Sequence, residues 1–586
     1  MNSSDPPPPF RTSPSEGAPA GEDALVPDGL SSLGPYFLQS SHVIAAALLA
    51  AAFFLLSHRS LWYSDIWGHL KFGQWIVQHR QLPAQEPFSP FTDRQPYIHF
   101  QWLSQVGMYL AFTAGEWLAG GDALHRLAGG AELLALLFTL LGFLRWLLLL
   151  LAYRRASNSM PLACLGLLLV LVVGLFYGNM QRPQAFGEVL FAALLLALSR
   201  PVLSRRALVL VPIGFVLWAN LHGSYVVGLI LLGMFLLGRA IEVGRAADRG
   251  DAPFPGRLAA IVKDAQVRRL FLVGLAAIAA IALLNPHGPK LFFYTVRFAQ
   301  DPNIAAMAEW QPLEFQWEFG PQWGYGLLCL AVIATQIFSP RLLSPTSLVL
   351  CASFGIFPLF QRRLLSWWIV LVPWIVLPEW AEVGRRIRWP WLHYRSEANG
   401  AKTLLAAGLL ILAFVLTPAV KWLRGGQPRA LDYSLSPGTP WRLAAQLTAG
   451  PDAPPYYPEL ADALKRSYPQ GRFHGRIFAS ETQGDYLLWA LPPDYPVLIY
   501  THLHLFPPQH WQDCLTVLLA EPGWREILDR NGVNLIVVEA EGHPQLAEAL
   551  RGDADWRIVV DETGLYQKRD PRTRLLIAVR KTPLTS

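Results

Sequence analysis

The chain has 586 residues, of which 53% are hydrophobic and 15% charged, and its mean hydropathy is +0.30. Soluble domains carry about 25% charge, so these figures exclude a soluble globular enzyme and a disordered chain and point to a multi-span membrane protein with one soluble appendage. The net charge of +6 is explained first by basic cytoplasmic loops; with no zinc-finger spacing or recognition-helix signature, no nucleic-acid partner is expected.

Residues 1–40 are rich in Pro, Ser, Gly and Ala, including Pro6 to Pro9, and are expected to be a disordered cytoplasmic tail. The first apolar run, about 41–57, has no basic n-region and no A-x-A cleavage site, so it reads as an uncleaved signal anchor. Apolar stretches then recur near 130–152, 160–177, 185–199, 207–222, 224–240, 269–285, 323–339, 345–360, 364–379 and 403–423, which makes about eleven transmembrane helices within residues 41–424. Residues 425–586 have ordinary polar composition and read as an α/β domain. Its candidate strands are Arg476 to Ala479, Val497 to Tyr500, Leu535 to Glu539, Arg557 to Val560, Leu565 to Gln567 and Leu575 to Arg580; its candidate helices lie near 457–467, 509–530 and 544–551. Cys164, Cys329, Cys351 and Cys514 form neither a disulfide framework nor a C-x-x-C metal pair.

One set of alternate loops is strongly basic: Arg154 and Arg155; Arg200, Arg205 and Arg206; Arg245, Arg249, Arg257, Lys263, Arg268 and Arg269; Arg341; then Arg385, Arg386, Arg388, Arg395 and Lys402. The positive-inside rule puts these in the cytoplasm of a plasma (inner) membrane, with the N-terminus cytoplasmic and the C-terminal domain extracytoplasmic. The acidic residues of the tail oppose this and are outvoted by the loops.

The unusual residues collect on the opposite face. In the long first loop, about 59–129, residues 66–79 have helical periodicity with Ile66, Trp67, Leu70, Phe72, Gly73, Trp75, Ile76 and Val77 mostly on one side. That pattern predicts a helix lying in the membrane interface, with a second near 100–118. The same face receives Asn179 to Gln184 (NMQRPQ), Trp218 to Gly223 (WANLHG), Asn285 to Gly288 (NPHG), Ala308 to Pro312 (AEWQP) and Gln361 to Arg363 (QRR). Ionisable groups at a membrane face are functional candidates by default, and each also has a plain structural explanation. Asp65 is a catalytic candidate or a helix cap. His69, one turn on, faces the same way. Glu86 is a ligand group or an acceptor for loop amides. Arg182, Arg362 and Arg363 are phosphate forks or snorkelling anchors. Glu188 is expected to pair with one of these three, and Arg145 to snorkel to the cytoplasmic surface.

Taken together, Asp65, Trp67, His69, Leu70, Gly73, Trp75, Ile76, Pro83, Glu86, Pro87, Phe88, Ser89, Trp102 and Leu103 resemble the first-loop signature of a family of bacterial multi-pass proteins related to the GT-C glycosyltransferases, of the protein mannosyltransferase and aminoarabinose transferase type. The later RPQ, W-x-N-L-H-G, N-P-x-G and E-W elements, which hold Gln184, His222 and Glu309, are similar in order, as is GRIFASETQGDYLLWALPPDYPVLIY in the C-terminal part. The resemblance implies a GT-C-like bundle with interfacial helices in the first outside loop. It implies transfer of a sugar from a polyprenyl-phosphate-linked donor to a glycan, lipid or protein acceptor of the cell envelope. Asp65 matches the family's essential acid. His69, Glu86, Arg182, Gln184, His222, Glu309, Arg362 and Arg363 are then the substrate-binding candidates.

The sequence departs from the pattern at Gln101, where Glu is frequent, at Glu86 for Asp, at His287 for an aromatic, and at Thr501, His502 and His504 for an acid and arginine pair. A divalent metal is left open by the resemblance, with Asp65, Glu86 and Asp93 as the nearby acids. His502, His504 and His510 do not have a familiar zinc spacing. The chemistry expected of these residues is a general base at Asp65, stabilisation of the leaving lipid phosphate by arginine with His69 or His222 donating, and inversion at the anomeric carbon. The alternatives are a lipid-linked glycan transporter or flippase, which would bind near the bilayer midplane, and a non-catalytic membrane scaffold.

Overall fold

A computed structural model describes residues 37–62, 65–92, 97–174, 181–248, 250, 253–390, 396–449, 455–468, 472–562 and 575–584. The tail to residue 36, Asp93, Asn179, Arg249, Arg395 and the strand expected at Leu565 to Gln567 lie outside the described residues.

The chain is mostly helical. Apolar stretches become helices because in hydrocarbon only an intrasegment ladder satisfies the backbone. In chain order these are α1 (Ser40–Ser57), α2 (Ile66–His79), α3 (Trp102–Ala119), α4 (Ala123–Ser157), α5 (Met160–Gly174), α6 (Gln184–Leu198), α7 (Ala207–Leu221), α8 (Tyr225–Asp248), α9 (Phe254–Lys263), α10 (Ala265–Leu284), α11 (Lys290–Ala299), α12 (Pro321–Phe338), α13 (Pro345–Ile356), α14 (Leu365–Arg386) and α15 (Gly400–Val415). Each of the eleven expected stretches falls on one of them. Among the described residues α1, α4, α8, α10 and α14 are long and apolar enough to cross a membrane, and α5, α6, α7, α13 and α15 are shorter apolar helices. Val209, Leu210 and Ile213 on α7 and Phe271, Leu272 and Leu275 on α10 are exposed large side chains, as a lipid-facing surface requires.

Two boundaries and one pairing differ from expectation. The Asp122 carboxylate accepts the His125 amide and so starts α4 about two turns earlier than hydropathy indicates. The last apolar stretch is broken because the Thr417 hydroxyl caps a separate turn, Pro418–Leu423. Arg145 does not reach for a membrane surface: it is paired within the bundle to Glu188 on α6. Glu188 therefore answers Arg145 and none of the three arginines expected for it.

Helix α2 has the predicted bounds, but its apolar side meets protein. Ile66, Trp67, Leu70 and Phe72 are almost fully buried. They sit in hydrophobic clusters that also contain α3 and the C-terminal region. The approach of α2 to α3 is backbone-close: a Cβ on Gly73 would stand 2.2 Å from the Gln105 carbonyl oxygen. Gly73→Ala is therefore expected to push the two helices apart and lower the thermal midpoint of the protein in lipid by several degrees, whereas Gly107→Ala, which meets nothing within 4 Å, should leave it unchanged. Equal midpoints for the two variants would refute this packing.

Beyond α15, helices α16 (Trp441–Ala449), α17 (Pro458–Ser467), α18 (Glu481–Ala490), α19 (Pro508–Leu518), α20 (Trp524–Arg530) and α21 (Pro544–Arg551) surround a sheet of β1 (Arg476–Ala479), β2 (Val533–Glu539), β3 (Trp556–Asp561) and β4 (Leu575–Arg580). The strand order is β1-β2-β4-β3. β1 lies parallel to β2, with Ile477 opposite Leu535, and the other pairs are antiparallel. Alternate residues fill opposite layers: Ile477, Leu535, Val537 and Ile577 share a cluster with α2, whereas Phe478, Ile536, Val538 and Leu576 share one with α19 and α21. Val497 makes only an isolated bridge to Ile477, so the strand expected at Val497 to Tyr500 is not formed. The helix expected over 509–530 is two, α19 and α20, divided by Gly523 at φ 95°. The sequence reading missed α16 and α18.

Candidate active site

The starts of α2, α6, α8 and α14, the end of α7 and helix α11 meet the C-terminal region around a cavity of about 650 Å³. Two asparagines tie the ends of α7 and α10 together. Asn220 Oδ1 accepts from Trp102 Nε1 at 2.8 Å and from Asn285 Nδ2 at 3.1 Å. Asn285 Oδ1 accepts the His287 amide, and His287 Nε2 accepts the His99 amide. The WANLHG and NPHG elements thus hold the loop ends to α3.

Of the expected site residues, Asp65, His69, Arg182, Gln184, His222, Glu309 and Arg363 line the cavity; Glu86 and Arg362 do not. The Glu86 carboxylate is engaged within its own loop, accepting from the Phe88 and Ser89 amides at 2.7 and 2.8 Å and from the Thr92 hydroxyl. That is its plain structural role. Burial raises its pKa, against the opposing pull of these hydrogen bonds.

Arg182 sits between two carboxylates. One guanidinium nitrogen is 2.8 Å from Asp65 Oδ2 and the other 2.8 Å from Glu309 Oε2. Arg363 approaches Glu309 at 3.6 Å, stacks 4.2 Å over the Trp310 ring, and donates to Gln184 Oε1. Gln184 in turn donates to Glu188, so the Arg145–Glu188 pair inside the bundle braces the cavity's second arginine. Burial alone would raise the Glu309 pKa, but the two guanidiniums outweigh it and hold it at about 2. Asp65 Oδ1 is buried and has no hydrogen-bond partner among the described residues.

The histidines of the cavity are neutral by burial. His69 Nδ1 accepts from Gln105 Nε2 at 3.2 Å and lies near Gln101 Nε2, which leaves Nε2 as the donor. Its pKa is lowered to about 4, by burial first, with Asp65 opposing. His222 Nδ1 is held by Ser224, and burial, then the Arg363 charge, lowers its pKa. Burial likewise lowers His504 and His99 to about 3.

These shifts have a measurable consequence. A histidine whose folded pKa lies below its unfolded value binds its proton more readily when unfolded. Its contribution to stability is complete above about 6.5 and is lost as pH falls through the window from 6.5 to the folded pKa. His69 alone accounts for about 3 kcal/mol across pH 6.5 to 4. The thermal midpoint in lipid should fall steeply over that range, and His69→Gln should flatten the slope; an unchanged slope would mean that His69 is not buried neutral.

The C-terminal region supplies Glu481, Thr482, Thr501, His502 and His504 to the same cavity. Sequence reasoning missed this wall as a set. Its signal in the sequence is the i, i+2 spacing of His502 and His504. Behind it, Asp485 is fully buried. It accepts from the Thr501 hydroxyl at 2.5 Å and the Thr501 amide at 3.2 Å. Burial, with Asp65 adding to it, pushes its pKa well above the usual range despite the Thr501 hydroxyl bond. Gly68 permits the approach, since a Cβ there would stand 2.7 Å from Asp485 Oδ1.

A divalent metal does not fit these residues. The place between Asp65 and Glu309 is filled by a guanidinium. Among the described residues, no three of His, Cys, Asp and Glu are arranged to hold such an ion.

Apolar helices that expose large side chains, gathered over a charged cavity roofed by an α/β region, define a multi-pass membrane protein with a buried polar site. No family model matches the chain, and no curated protein matches it. Among solved structures it is similar to archaeal oligosaccharyltransferase AglB from Archaeoglobus fulgidus in complex with an inhibitory peptide and a dolichol-phosphate, with a TM-score of 0.48. The Archaeoglobus fulgidus oligosaccharyltransferase tethered to an acceptor peptide containing the NVT sequon and the same enzyme in the apo form each match with a TM-score of 0.49. All three are 14% identical, over 86% of this chain and 69% of theirs. Such a likeness says nothing of substrate, and the chemistry open to the cavity follows from its own residues.

Proposed function

We propose that the protein is a GT-C-type glycosyltransferase of about eleven membrane spans that moves a sugar from a polyprenyl-phosphate donor to an extracytoplasmic acceptor, with its N-terminus in the cytoplasm. The observation that carries this reading is the state of Asp65. One carboxylate oxygen is fixed by Arg182 while the other is buried beside the cavity without a hydrogen-bond partner among the described residues. A carboxylate so held is a base with one lone pair free for an incoming hydroxyl.

The remaining groups fit the other half of the reaction. The acceptor hydroxyl gives its proton to Asp65 Oδ1 as its oxygen bonds the anomeric carbon. The bond from that carbon to the phosphate oxygen breaks on the opposite side, and its electron pair leaves on the lipid phosphate. Arg182 and Arg363 offer guanidinium forks to that charge, and His69 and His222 offer N–H donors. The charges need no reorganisation as the bond breaks, because the Asn220–Asn285 and Gln184–Glu188 contacts already hold the elements that carry them. Val226, Val227, Ile230, Leu364 and Trp367 line the cavity towards the bundle and supply an apolar route for the lipid chain. The C-terminal α/β domain of residues 425–586 closes the site from outside.

The test uses purified protein in lipid with a panel of polyprenyl-phosphate sugars and cell-envelope acceptors, following release of free polyprenyl phosphate. Acceptor-dependent release supports the reading. Donors that bind and are never cleaved would replace it with a carrier.

A further inference from the structure

We propose that the cavity wall made by His502, His504 and Tyr97 is a hydroxyl-binding subsite for an uncharged carbohydrate ring. This deepens the function proposed above and rests on it in one respect, that the arginine pair takes the phosphate.

His502 is 4% exposed, and neither of its ring nitrogens has a hydrogen-bond partner among the described residues. It nevertheless lines the cavity. Leaving a buried polar atom unmet is costly, so two on one ring mark a place where something else completes the bonding. Nε2 of His504, the next histidine along the same wall, is also buried and unmet among the described residues. The ring of His502 is not loose: it packs edge-on against His69 at 5.0 Å and at a tilt against Phe72 at 4.8 Å. Its orientation is therefore set before any ligand arrives.

The chemistry of the ligand follows from the charge state of the wall. No ion pair reaches His502 or His504 among the described residues, and burial keeps both neutral. A neutral imidazole presents one donor and one acceptor, which is what a hydroxyl needs and what a phosphate or carboxylate does not. Tyr97 lies 5.7 Å from the His504 ring and Phe298 4.9 Å from it, so aromatic rings stand beside the imidazoles. Hydroxyl-matched nitrogens beside aromatic rings suit a sugar ring, with its polar rim and C–H faces. The cavity thus recognises an anion at its arginine end and a neutral polyol at its histidine end. The sugar can come from the lipid-linked donor or from the acceptor.

The test measures binding to the full-length protein in nanodiscs with three kinds of probe: undecaprenyl phosphate, the same lipid phosphate carrying a neutral hexose or N-acetylhexosamine, and free methyl glycosides of those sugars. His502→Phe keeps the ring and removes both nitrogens. It should weaken a glycosylated probe at least tenfold and leave undecaprenyl phosphate unchanged. Weakening confined to the glycosylated lipid assigns the subsite to the donor sugar, and weakening of the free glycoside assigns it to the acceptor. His504→Phe is a second, independent removal if His502→Phe does not fold. Glycosylated probes held equally by variant and wild type, or not held by wild type while undecaprenyl phosphate is, overturn the subsite. Glycosides bound without undecaprenyl phosphate overturn the phosphate reading and leave the subsite standing; if nothing binds, both fall.

Discussion

Asp65→Asn should lower sugar transfer by about 100- to 10,000-fold, the range that loss of a positioned general base removes. The exchange is nearly isosteric. The amide oxygen can still face Arg182, so donor binding should change by only a few-fold. What disappears is the lone pair at Oδ1 with enough basicity to take a hydroxyl proton. The loss should therefore appear in the rate at saturating donor and not in donor affinity. Single-turnover release of polyprenyl phosphate from pre-bound donor separates the two. Equal release rates for wild type and variant would remove Asp65 from the chemistry, whatever their affinities.

Arg182→Gln should cost both stability and phosphate binding. The guanidinium is the shared counter-ion of Asp65 and Glu309, whose side chains are 14% and 30% exposed. Removing one partner of a buried pair costs about 3–5 kcal/mol. Glu309 is partly solvated and keeps Arg363 nearby, so about 3 kcal/mol is the fitting end of that range. The pH dependence has a definite sign. Glu309, held at about 2, contributes stability that is complete above the ordinary glutamate value near 4.5 and lost as pH falls through 2. Without Arg182 that contribution shrinks and the two carboxylates repel each other, so the deficit of the variant should be larger at pH 8 than at pH 5. Arg182→Lys keeps the charge but cannot reach both acids with one planar fork, and should fall between the two. Thermal midpoints in the same lipid at the two pH values check this. Arg182→Gln with wild-type stability at pH 8 and intact undecaprenyl phosphate binding would refute the bridging role.

The helices were legible because hydrocarbon demands a one-dimensional pattern. A run of apolar residues near the length of the bilayer has a single backbone solution, so the eleven stretches and the bounds of α2 follow from composition and period. The resemblance carried Asp65 to the site by order along the chain. Period alone did not tell what would cover an apolar face: lipid and a protein core make the same demand on Ile66, Trp67 and Leu70. The core that buries them includes Tyr486 and Leu487, more than four hundred residues away in sequence.

Pairing was the other illegible quantity. Nothing local distinguishes an arginine that snorkels from one that finds a carboxylate on the next helix, as Arg145 finds Glu188, or one that bridges two, as Arg182 does. Such a partner is chosen by where the helices place it, and low dielectric makes the choice count. The sequence by itself determined a membrane bundle, an α/β appendage and an acid in the first loop. These depend on periods and neighbours along the chain. Only the tertiary structure decided that α2 is covered by protein, that Glu86 serves its own loop, and that His502 and His504 face the same cavity as Asp65. Those facts depend on distances between segments far apart in sequence, and the interactions that set them fall off over a few ångströms of space.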